Sequence, residues 1–352
     1  MDPVMQIAVD AMGGDFAPRA VVEGAFRSAV EDGTRILLVG RRRVLQETLA
    51  PLGDHRGRLE IVHAEEVVGM DEPAISPIRK KRRSSVRVCA ELVKEGRAQA
   101  MVTAGNTGAA MIAAKMVIGT ISGVDRPALA ALFPAPRGRT VLLDVGANVE
   151  SKPAHLRQFA IMGHSYAQQV LEKASPRIGL LSIGEEQGKG TDLTRRVFKE
   201  MESSGFNFVG NVEGRDVFKG TVDVVVCDGF VGNVLLKSAE SLAELIAHMM
   251  REELGRSWRT RLAGGLAEPA LAALRKRTDY REYGAAPLLG VRGGCFIGHG
   301  SSNPKAIHSS IQRAVEFCVA DLHNKIRLNV AELHSREERL LGRKDPPEVS
   351  AS

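Results

Sequence analysis

Short apolar runs alternate with longer segments whose apolar residues recur every three or four positions. A run of about four to six apolar residues is typical of a buried strand, and the longer spacing is typical of a helix with one buried face. The runs predict strands at 6–10, 36–39, 59–63, 100–103, 129–133, 140–144, 178–183, 206–209, 222–227, 286–291 and 295–297. The helical spacing predicts helices at 21–30, 41–49, 86–94, 109–118, 153–172 and 192–201, and one that starts at Pro304.

This alternation predicts an α/β fold, in which a mainly parallel sheet has helices on both faces. At least five predicted strands lead directly into glycine combined with a polar residue. Since the carboxyl ends of parallel strands lie at one edge, we expect these loops to converge on one cleft. The five loops are Gly13-Gly14-Asp15, Gly105-Asn106-Thr107-Gly108, Gly146-Ala147-Asn148, Gly210-Asn211, and Asp228-Gly229 followed by Gly232-Asn233.

Each of these loops, taken alone, could be a simple turn, because glycine and asparagine favour turns. A cleft lined by glycine backbone and asparagine amides is also a recurrent way to bind anions. Five such loops together favour the anion-binding interpretation.

The strand predicted at 178–183 is followed by a glycine-rich loop that contains Glu185, Glu186 and Lys189. A Walker A loop needs four residues between its glycines and Ser or Thr directly after its lysine. Here three residues separate the first two glycines, and another glycine follows Lys189. The two glutamates would also repel a triphosphate. One lysine among glycines suits a smaller anion or a polarised carbonyl.

The pattern changes in the last third of the chain. Apolar residues at 234–250 predict a helix of about six turns, and the segment 256–277 mixes leucines with arginines and predicts the second arm of a helical hairpin. The hairpin, 232–280, is expected either to be buried in a dimer or to touch an anionic membrane with its arginine-rimmed tip. We expect one catalytic domain over 1–334 and a disordered, charged tail at 335–352.

The composition favours anionic partners and a soluble protein. The 352 residues carry a net charge of +6 with a pI near 9.2, which suits phosphate groups, an acidic carrier protein or a membrane surface. Only 4% of the residues are aromatic and no nucleic-acid motif is present, so nucleic acid is not expected as a partner. The basic run at 79–83 predicts a solvated helix start or a patch for an acidic partner.

No signal peptide or membrane span is predicted, and the four cysteines are scattered without a C-x-x-C pair. A reducing cytoplasm therefore fits best. Neither a zinc site nor a disulfide framework is expected, and no cofactor is expected, since the first glycine turn lacks the dinucleotide pattern.

Covalent catalysis is also poorly supported. Gly163-His164-Ser165 lies inside a helical pattern and not at a strand-to-helix turn. Cys295 and His299 would stand about 13 Å apart in an extended segment. What remains is a reaction whose nucleophile is a bound substrate. Phosphate is already anionic at neutral pH, and a thioester releases a good leaving group. Acyl transfer from a thioester to phosphate therefore needs only positioning and charge stabilisation.

The loops closely resemble those of the bacterial phosphate acyltransferase (PlsX) family. The resemblance spans about residues 6–325, and its many ordered matches are specific together although each alone is weak. The matching stretches are 10–15, 104–108, 125–128, 143–148, 183–186, 210–216, 227–233 and 299–302.

The resemblance implies a three-layer αβα, Rossmann-like fold, akin to phosphate acetyltransferases and isopropylmalate dehydrogenase-like folds. It also implies a homodimer built on the hairpin and peripheral contact with the membrane. The family's catalytic lysine and asparagine correspond to Lys189 and Asn233. Lys189 would stabilise the developing oxyanion or hold phosphate, and Asn233 would donate a hydrogen bond to the same charge. The matching motifs predict that substrate is bound by Asp10, Gly13, Gly14, Asp15, Asn106, Thr107, Asn148, Glu185, Glu186, Asn211, Asp228, Gly229, His299 and Ser301.

Two local departures from the family pattern occur. Gly188 and Thr191 flank Lys189 where Thr and Asn are commoner, which affects the rigidity of the loop. Pro77 is an unusual second proline in 71–77, which affects the shape of the acyl entrance. Neither departure changes the expected reaction.

The implied function is the conversion of long-chain acyl carrier protein and phosphate to acyl-phosphate and free carrier, the first step of phospholipid synthesis. The acceptor of acyl-phosphate would be a membrane glycerol-3-phosphate acyltransferase, and the basic residues at 79–83 or 275–277 would receive the carrier. Two alternatives stay open: an acyltransferase that uses coenzyme A, and a non-enzymatic scaffold for lipid enzymes.

Overall fold

A single sheet of eleven strands forms the centre of the molecule. The computed structural model describes residues 5–136, 138–278 and 284–340. The strands lie side by side in the order β3-β2-β1-β4-β11-β10-β5-β6-β9-β7-β8. Their bounds are β1 (Gln6–Asp10), β2 (Arg35–Gly40), β3 (Leu59–His63), β4 (Ala100–Thr103), β5 (Ala128–Pro134), β6 (Arg139–Leu143), β7 (Ile178–Leu181), β8 (Phe208–Val212), β9 (Val224–Val226), β10 (Ala286–Leu289) and β11 (Gly294–Ile297).

Helices cover both faces of this sheet. Strand side chains alternate between the faces: Ile7 and Val9 of β1 join one buried hydrophobic cluster and Ala8 joins the other. The helices are α1 (Arg19–Glu31), α2 (Arg42–Leu49), α3 (Ile75–Lys80), α4 (Ser85–Lys94), α5 (Thr107–Ala113), α6 (Pro153–Val170), α7 (Asp192–Glu202), α8 (Asp216–Lys219), α9 (Gly229–Gly255), α10 (Trp258–Thr278), α11 (Pro304–Val319) and α12 (Leu322–Leu340).

The three-layer, mainly parallel α/β fold is confirmed. Seven of the ten strand pairings among the described residues are parallel. One hydrophobic cluster includes residues of α1, α6, α7, α11 and α12, and the other includes residues of α4, α5 and α9. The sheet is thus buried on both faces, which explains why its strands read as continuous apolar runs.

The expectation that all five glycine loops lie at one edge of the sheet was wrong. β5 runs in the same direction as β4, because β11 is parallel to β4 and β10 is antiparallel to both β11 and β5. β5 and β6 form an antiparallel hairpin, so β6 runs opposite to β1 and β4. β9, β7 and β8 are parallel to β6 and run the same way. The loops after β1, β4 and β11 therefore form a first group, and the loops after β6, β9 and β7 form a second group at the opposite edge.

β10 joins the two halves of the sheet only briefly. Its first two residues, Ala286 and Pro287, pair with β11, and its last two, Leu288 and Leu289, pair with β5. The residues of β5 after Leu129 therefore have no partner on the β10 side of the strand in the described ladders. This leaves a gap in the middle of the sheet, between the halves that carry the two groups of loops.

Several predicted boundaries were also wrong. β8 continues through Gly210 and Asn211, which were expected to form a loop, because a register shift at β7 accommodates the left-handed Gly210. α12 extends to Leu340, since residues 335–340 are mostly strong helix formers. The remainder of the predicted tail, 341–352, and the predicted end of the hairpin, 279–280, lie outside the described residues.

The predicted helical hairpin is formed by α9 and α10, and Gly264 of α10 lies against Leu254 of α9. Its outer surface is apolar over a long stretch. Within the described chain, no helix has the combined length and hydropathy of a membrane span. The exposed large apolar residues of the hairpin are Phe230, Val231, Val234, Leu242, Leu245, Ile246, Met249, Trp258, Leu262 and Leu266.

A half-buried ion pair between Arg177 and Asp223 links the start of β7 to the segment before β9, and it makes stability depend on pH. Burial opposes ionisation of Asp223, but hydrogen bonds from the backbone and side chain of Arg177 outweigh it, so the pKa of Asp223 is below its ordinary value of 3.8. A carboxyl group with a lowered pKa stabilises the fold above its unfolded-state pKa, and this contribution is lost as the pH falls through the folded-state pKa.

Arg177→Met is expected to lower the free energy of unfolding at pH 7 by about 2 kcal/mol, a value that allows for the partial exposure of Arg177. The loss should shrink at a pH well below the ordinary pKa of 3.8, as the pH falls through the lowered folded-state pKa of Asp223 and the ion pair is lost from the native protein as well. Urea unfolding at the two pH values measures this. Arg43→Met, which breaks an exposed pair with Glu47, is the control and should have little effect. An equal loss at both pH values for Arg177→Met would contradict the linkage.

Candidate active site

The first group of loops is held together by a buried carboxylate. Asp10 ends β1 and is 2% exposed. It accepts hydrogen bonds from Thr103 Oγ1 at 2.8 Å and from the backbone of Met12 at 3.2 Å. Burial raises the pKa of Asp10 above its ordinary value, and the hydrogen bonds, including those from Ser85 and Thr103, offset part of this shift. Asp10 thus ties β1 to β4 directly below the loops.

Glycine at position 13 allows these loops to approach one another. A β-carbon on Gly13 would lie 2.7 Å from Asp10 Oδ2 and 2.8 Å from the backbone of Gly105. The backbone N–H of Asp15 donates to the carbonyl of Gly300 at 2.8 Å, which joins the loop after β1 to the loop after β11. Any larger residue at position 13 would separate the loops.

Asn106 organises the loop after β4. Its Oδ1 accepts from the backbone of Ala109 at 2.9 Å and caps α5. Its Nδ2 donates to the carbonyls of Gly69, Met70 and Glu72 at 2.9–3.2 Å. The Asn106 amide therefore holds the segment 69–72 against the start of α5, and Thr107 beside it is exposed.

The second group of loops is built on a second buried carboxylate, Asp144. It accepts from the backbones of Leu129, Gly146, Ala147 and Asn148 and from the Asn148 side chain, at 2.6–3.2 Å. Burial raises the pKa of Asp144 although these hydrogen bonds oppose the shift. The carboxylate fills a nest of N–H groups that would otherwise suit a bound anion.

The start of α9 packs directly on this nest. A β-carbon on Gly232 would lie 1.9 Å from the carbonyl oxygen of Asp144, so only glycine fits there. Asp228 caps the helix by accepting from the backbone of Val231 at 3.0 Å. One residue after Gly232, the exposed Asn233 faces Gly146: a β-carbon on Gly146 would lie 3.4 Å from Asn233 Oδ1. This packing fixes the backbone position from which the Asn233 side chain extends.

A cavity of about 350 Å³ lies between the two groups of loops, at the gap in the sheet. Its apolar lining comes largely from β5, β10 and β11. The residues with polar or charged side chains that line it are Asp15, Thr107, Tyr166, Asn233, Lys237, Glu240, His299 and Arg313. A mostly apolar cavity with a few polar groups is the usual form of a site for a small molecule or an acyl chain.

Comparison with known proteins identifies the family. The family model described as "Fatty acid synthesis protein" matches residues 5–325. The phosphate acyltransferase of Pelotomaculum thermopropionicum is 48% identical over 326 residues, which cover 93% of this chain and 95% of that protein. The phosphate acyltransferase of Aquifex aeolicus is 45% identical over 331 residues, with 94% and 98% covered. The chain belongs to the phosphate acyltransferase family.

Solved structures show the same fold at low sequence identity. A phosphotransacetylase from Streptococcus pyogenes superposes with a TM-score of 0.59 at 15% identity, covering 90% of this chain and 94% of that one. A branched-chain phosphotransacylase from Enterococcus faecalis gives 0.53 at 15% identity, covering 89% and 98%. The expected Rossmann-like fold of phosphate acetyltransferases is thereby confirmed. The relatives that are 45–48% identical show that the chain is an enzyme of the acyltransferase class.

Four of the sixteen predicted site residues line the cavity: Asp15, Thr107, Asn233 and His299. Ser301 lies beside them, and its backbone N–H donates to His299 Nδ1 at 3.2 Å. A role in binding substrate stays a prediction for all of them.

A second set of predicted residues makes contacts that build the loops. Asp10, Asn106, Asn148 and Asp228 hold loop backbone or cap helices, and Gly13, Gly14 and Gly229 permit close backbone packing. These contacts lie within the protein, and contact with substrate stays a prediction for each of these residues.

A third set lies on the loop after β7 or below it. Glu185, Glu186 and the predicted catalytic Lys189 are exposed and do not line the cavity, whereas Asn211 is buried beneath them in β8. β7 is next to β9 in the sheet, so Lys189 and Asn233 share one edge. The predicted catalytic pair therefore comes from neighbouring strand ends, with Asn233 at the cavity.

Four polar residues of the cavity were not predicted from sequence motifs. Lys237 and Glu240 follow Asn233 on α9, and Lys237 donates to Glu240 at 2.8 Å. Lys237 is four residues after Asn233, and this helical spacing was the available signal. Tyr166 and Arg313 come from α6 and α11 and carry no local motif. Their position depends on the gap in the sheet.

Two residues that were considered and rejected as nucleophiles, Cys295 and Ser165, are buried. Cys295 is 1% exposed, and burial raises the pKa of its thiol to about 12, so almost no thiolate exists at neutral pH. Ser165 lies inside α6, where its hydroxyl donates to the carbonyl of Ile161 at 2.8 Å.

Proposed function

We propose that the chain transfers a long-chain acyl group from acyl carrier protein to inorganic phosphate, forming acyl-phosphate and free carrier. The observation that carries the proposal is the cavity: its floor is apolar, as an acyl chain requires, and its polar groups come from loops of both halves of the sheet. The names of its relatives supply the phosphate acceptor.

The reaction in this proposal is direct. A phosphate oxygen attacks the thioester carbonyl carbon, forming the new C–O bond, and the carbonyl oxygen becomes an oxyanion. The C–S bond then breaks, and the carrier leaves as a thiolate that takes a proton from water. Phosphate needs no deprotonation by the protein, so the work of the site is to orient the reactants and to stabilise the oxyanion.

Asn233 is suited to the second task. Its side chain lies at the cavity, beside the glycine of the second loop group, where its amide can donate to a developing oxyanion. Lys189 at the adjacent strand end would hold phosphate or add positive charge as the oxyanion forms. Both roles follow from the chemistry of the reaction and the family motif.

Two other functions are compatible with parts of this description. An enzyme that uses acyl-coenzyme A would share the apolar cavity and the phosphate acceptor. A scaffold for lipid-synthesis enzymes would need neither Lys189 nor Asn233.

Release of free thiol, measured with and without phosphate, tests the proposal. Palmitoyl carrier protein and palmitoyl-coenzyme A are supplied at equal concentrations. The proposal requires phosphate-dependent release that strongly favours the carrier. Preference for coenzyme A would support the first alternative, and absence of phosphate-dependent release from either thioester would leave the scaffold.

The carrier is proposed to dock on the basic patch formed by Arg79, Lys80, Arg82 and Arg83, which are exposed at and after α3. Lys81 is not part of this patch because it pairs with Glu72 at 2.6 Å. The patch is connected to the cavity through segment 69–72, whose Met70 lines the cavity. The other basic run expected to receive the carrier, 275–277, has side chains outside the described residues.

Reversing charge on this patch is expected to weaken carrier binding. The double variant Arg79→Glu and Arg82→Glu should raise KM for palmitoyl carrier protein about tenfold at low salt, with little change in kcat, since exposed charges mainly govern encounter. The control, Arg27→Glu and Arg35→Glu, makes the same charge change at exposed positions elsewhere. Equal KM changes in both variants would show that only net charge matters.

The apolar outer surface of the α9–α10 hairpin supports the proposed homodimer, in which a second copy of the chain would cover it. We propose a cytoplasmic protein with peripheral membrane contact, which delivers acyl-phosphate to a membrane glycerol-3-phosphate acyltransferase. The basic pI of 9.2 is compatible with an anionic membrane surface.

A further inference from the structure

The loop that carries Lys189 closes on one carbonyl oxygen. The carbonyl of Glu186 accepts the backbone N–H of Lys189 at 3.0 Å, which forms a turn. The same oxygen accepts Asn211 Nδ2 at 2.9 Å from the strand below. The conformation of the Lys189 backbone therefore depends on a carbonyl that a side chain of β8 holds in place.

Asn211 is unusually well placed to act as an anchor. It is 5% exposed and lies in the middle of the β7–β8 pairing, opposite Leu180. The other polar atom of its amide, the buried Oδ1, has no hydrogen-bond partner among the described residues. Rotating the amide would place that oxygen against the Glu186 carbonyl, so the observed orientation is the favourable one. A buried amide with one unsatisfied atom costs stability and calls for a functional reason.

The other side-chain contacts of this loop in the described structure are exposed. Arg215 pairs with Glu185 at 3.1 Å, and Gln187 donates to Glu202 at 3.1 Å. Arg195 donates to the carbonyl of Gly190 at 3.0 Å. Exposed contacts of this kind add little rigidity because water competes for each partner. The hydrogen bond from Asn211 is half-buried and comes from a buried residue, so water competes less for it.

We propose that Asn211 is a positioning residue for Lys189: it fixes the Glu186 carbonyl and thereby the turn that sets the direction of the lysine side chain. Asn211 was expected from the sequence to bind substrate, and its contact with the loop backbone gives it this different role. The catalytic consequence rests on the proposed function, whereas the structural consequence does not.

Asn211→Asp removes the donor while keeping the size of the side chain, and it sets a carboxylate oxygen against the Glu186 carbonyl. Amide hydrogen exchange, read in peptides covering 184–190, should become roughly tenfold faster or more, because a half-buried hydrogen bond is replaced by repulsion. The control is Asn207→Asp, just before β8, which removes the exposed hydrogen bond that the Asn207 side-chain amide donates to the Ser175 carbonyl. Unchanged exchange at 184–190 in Asn211→Asp would overturn the proposal.

The catalytic arm uses a double-mutant cycle in the thiol-release reaction. Asn211→Asp alone should reduce kcat about tenfold or more, and in the Lys189→Ala background it should cause almost no further loss, since the residue acts through Lys189. A full additional loss in that background would overturn the positioning role and favour direct contact with substrate.

Asn211→Ser keeps a hydroxyl donor in less volume and serves if the aspartate variant does not fold. It should show a smaller increase in exchange in the same peptides, and no increase would count against the proposal. If the native chain shows no phosphate-dependent release, the proposed function fails, but the exchange measurement still decides whether Asn211 holds the loop.

Discussion

Asn233→Ala is expected to reduce kcat for phosphate-dependent acyl transfer roughly a hundredfold or more, the usual consequence of removing one oxyanion donor. Lys189→Ala should cause a loss of similar size. Both side chains are exposed, so neither change should lower the free energy of unfolding by more than about 0.5 kcal/mol. Initial rates and urea unfolding of the same preparations measure the two effects separately.

Exposed neighbours provide the matched controls for these variants. Ser238→Ala lies on the same helix as Asn233, and Lys199→Ala removes an exposed lysine from α7, next to the Lys189 loop. Both should retain nearly full activity. If the Asn233→Ala variant turned over substrate at the native rate, a role of Asn233 in stabilising the oxyanion would be excluded. If only Lys189→Ala did so, the charge at the neighbouring strand end would have no part in the reaction.

Asp144→Ala is expected to be the most destabilising single change, with a loss of about 3–5 kcal/mol in the free energy of unfolding. The carboxylate satisfies four backbone N–H groups and the Asn148 amide, and the substitution leaves most of these donors buried without a partner. Urea unfolding measures the loss.

Asp54→Ala is the control for Asp144. It removes an exposed carboxylate that accepts one backbone hydrogen bond, from Arg56, and it should cost less than about 1 kcal/mol. A loss at Asp144 no greater than the loss at Asp54 would mean that the nest does not depend on the carboxylate.

The alternation of strands and helices was enough to predict a three-layer α/β fold, because apolar runs and helical spacing are local signals. The direction of the later strands was not predicted, although the signal was present. Only six residues separate the strands predicted at 129–133 and 140–144, which is too short for a parallel crossover and long enough for a hairpin. That one hairpin reverses every strand of the second half.

The roles of polar loop residues were harder to predict. Asp10, Asn106 and Asn148 look the same in the sequence whether they contact substrate or protein. Their hydrogen-bond partners within the protein can be far away along the chain: Asn106 donates to carbonyls 34 to 37 residues before it. Sequence patterns therefore predicted which loops contain polar residues, but not which of these side chains make hydrogen bonds within the protein.

The cavity itself could not be predicted from local patterns. It depends on β10 pairing with one neighbour through two residues and with the other through the next two. Tyr166 and Arg313 reach the cavity from helices on one face and Asn233 from the other. Only the assembled sheet brings these residues together.

Mass spectrometry of the product tests the central claim most directly. The native chain is incubated with palmitoyl carrier protein and phosphate in which every oxygen is ¹⁸O. The account predicts palmitoyl-phosphate that keeps all the labelled oxygens and forms in step with free carrier thiol, because a phosphate oxygen attacks the thioester carbon. Release of palmitic acid from the start, with no labelled palmitoyl-phosphate, would contradict the account and identify water as the acceptor.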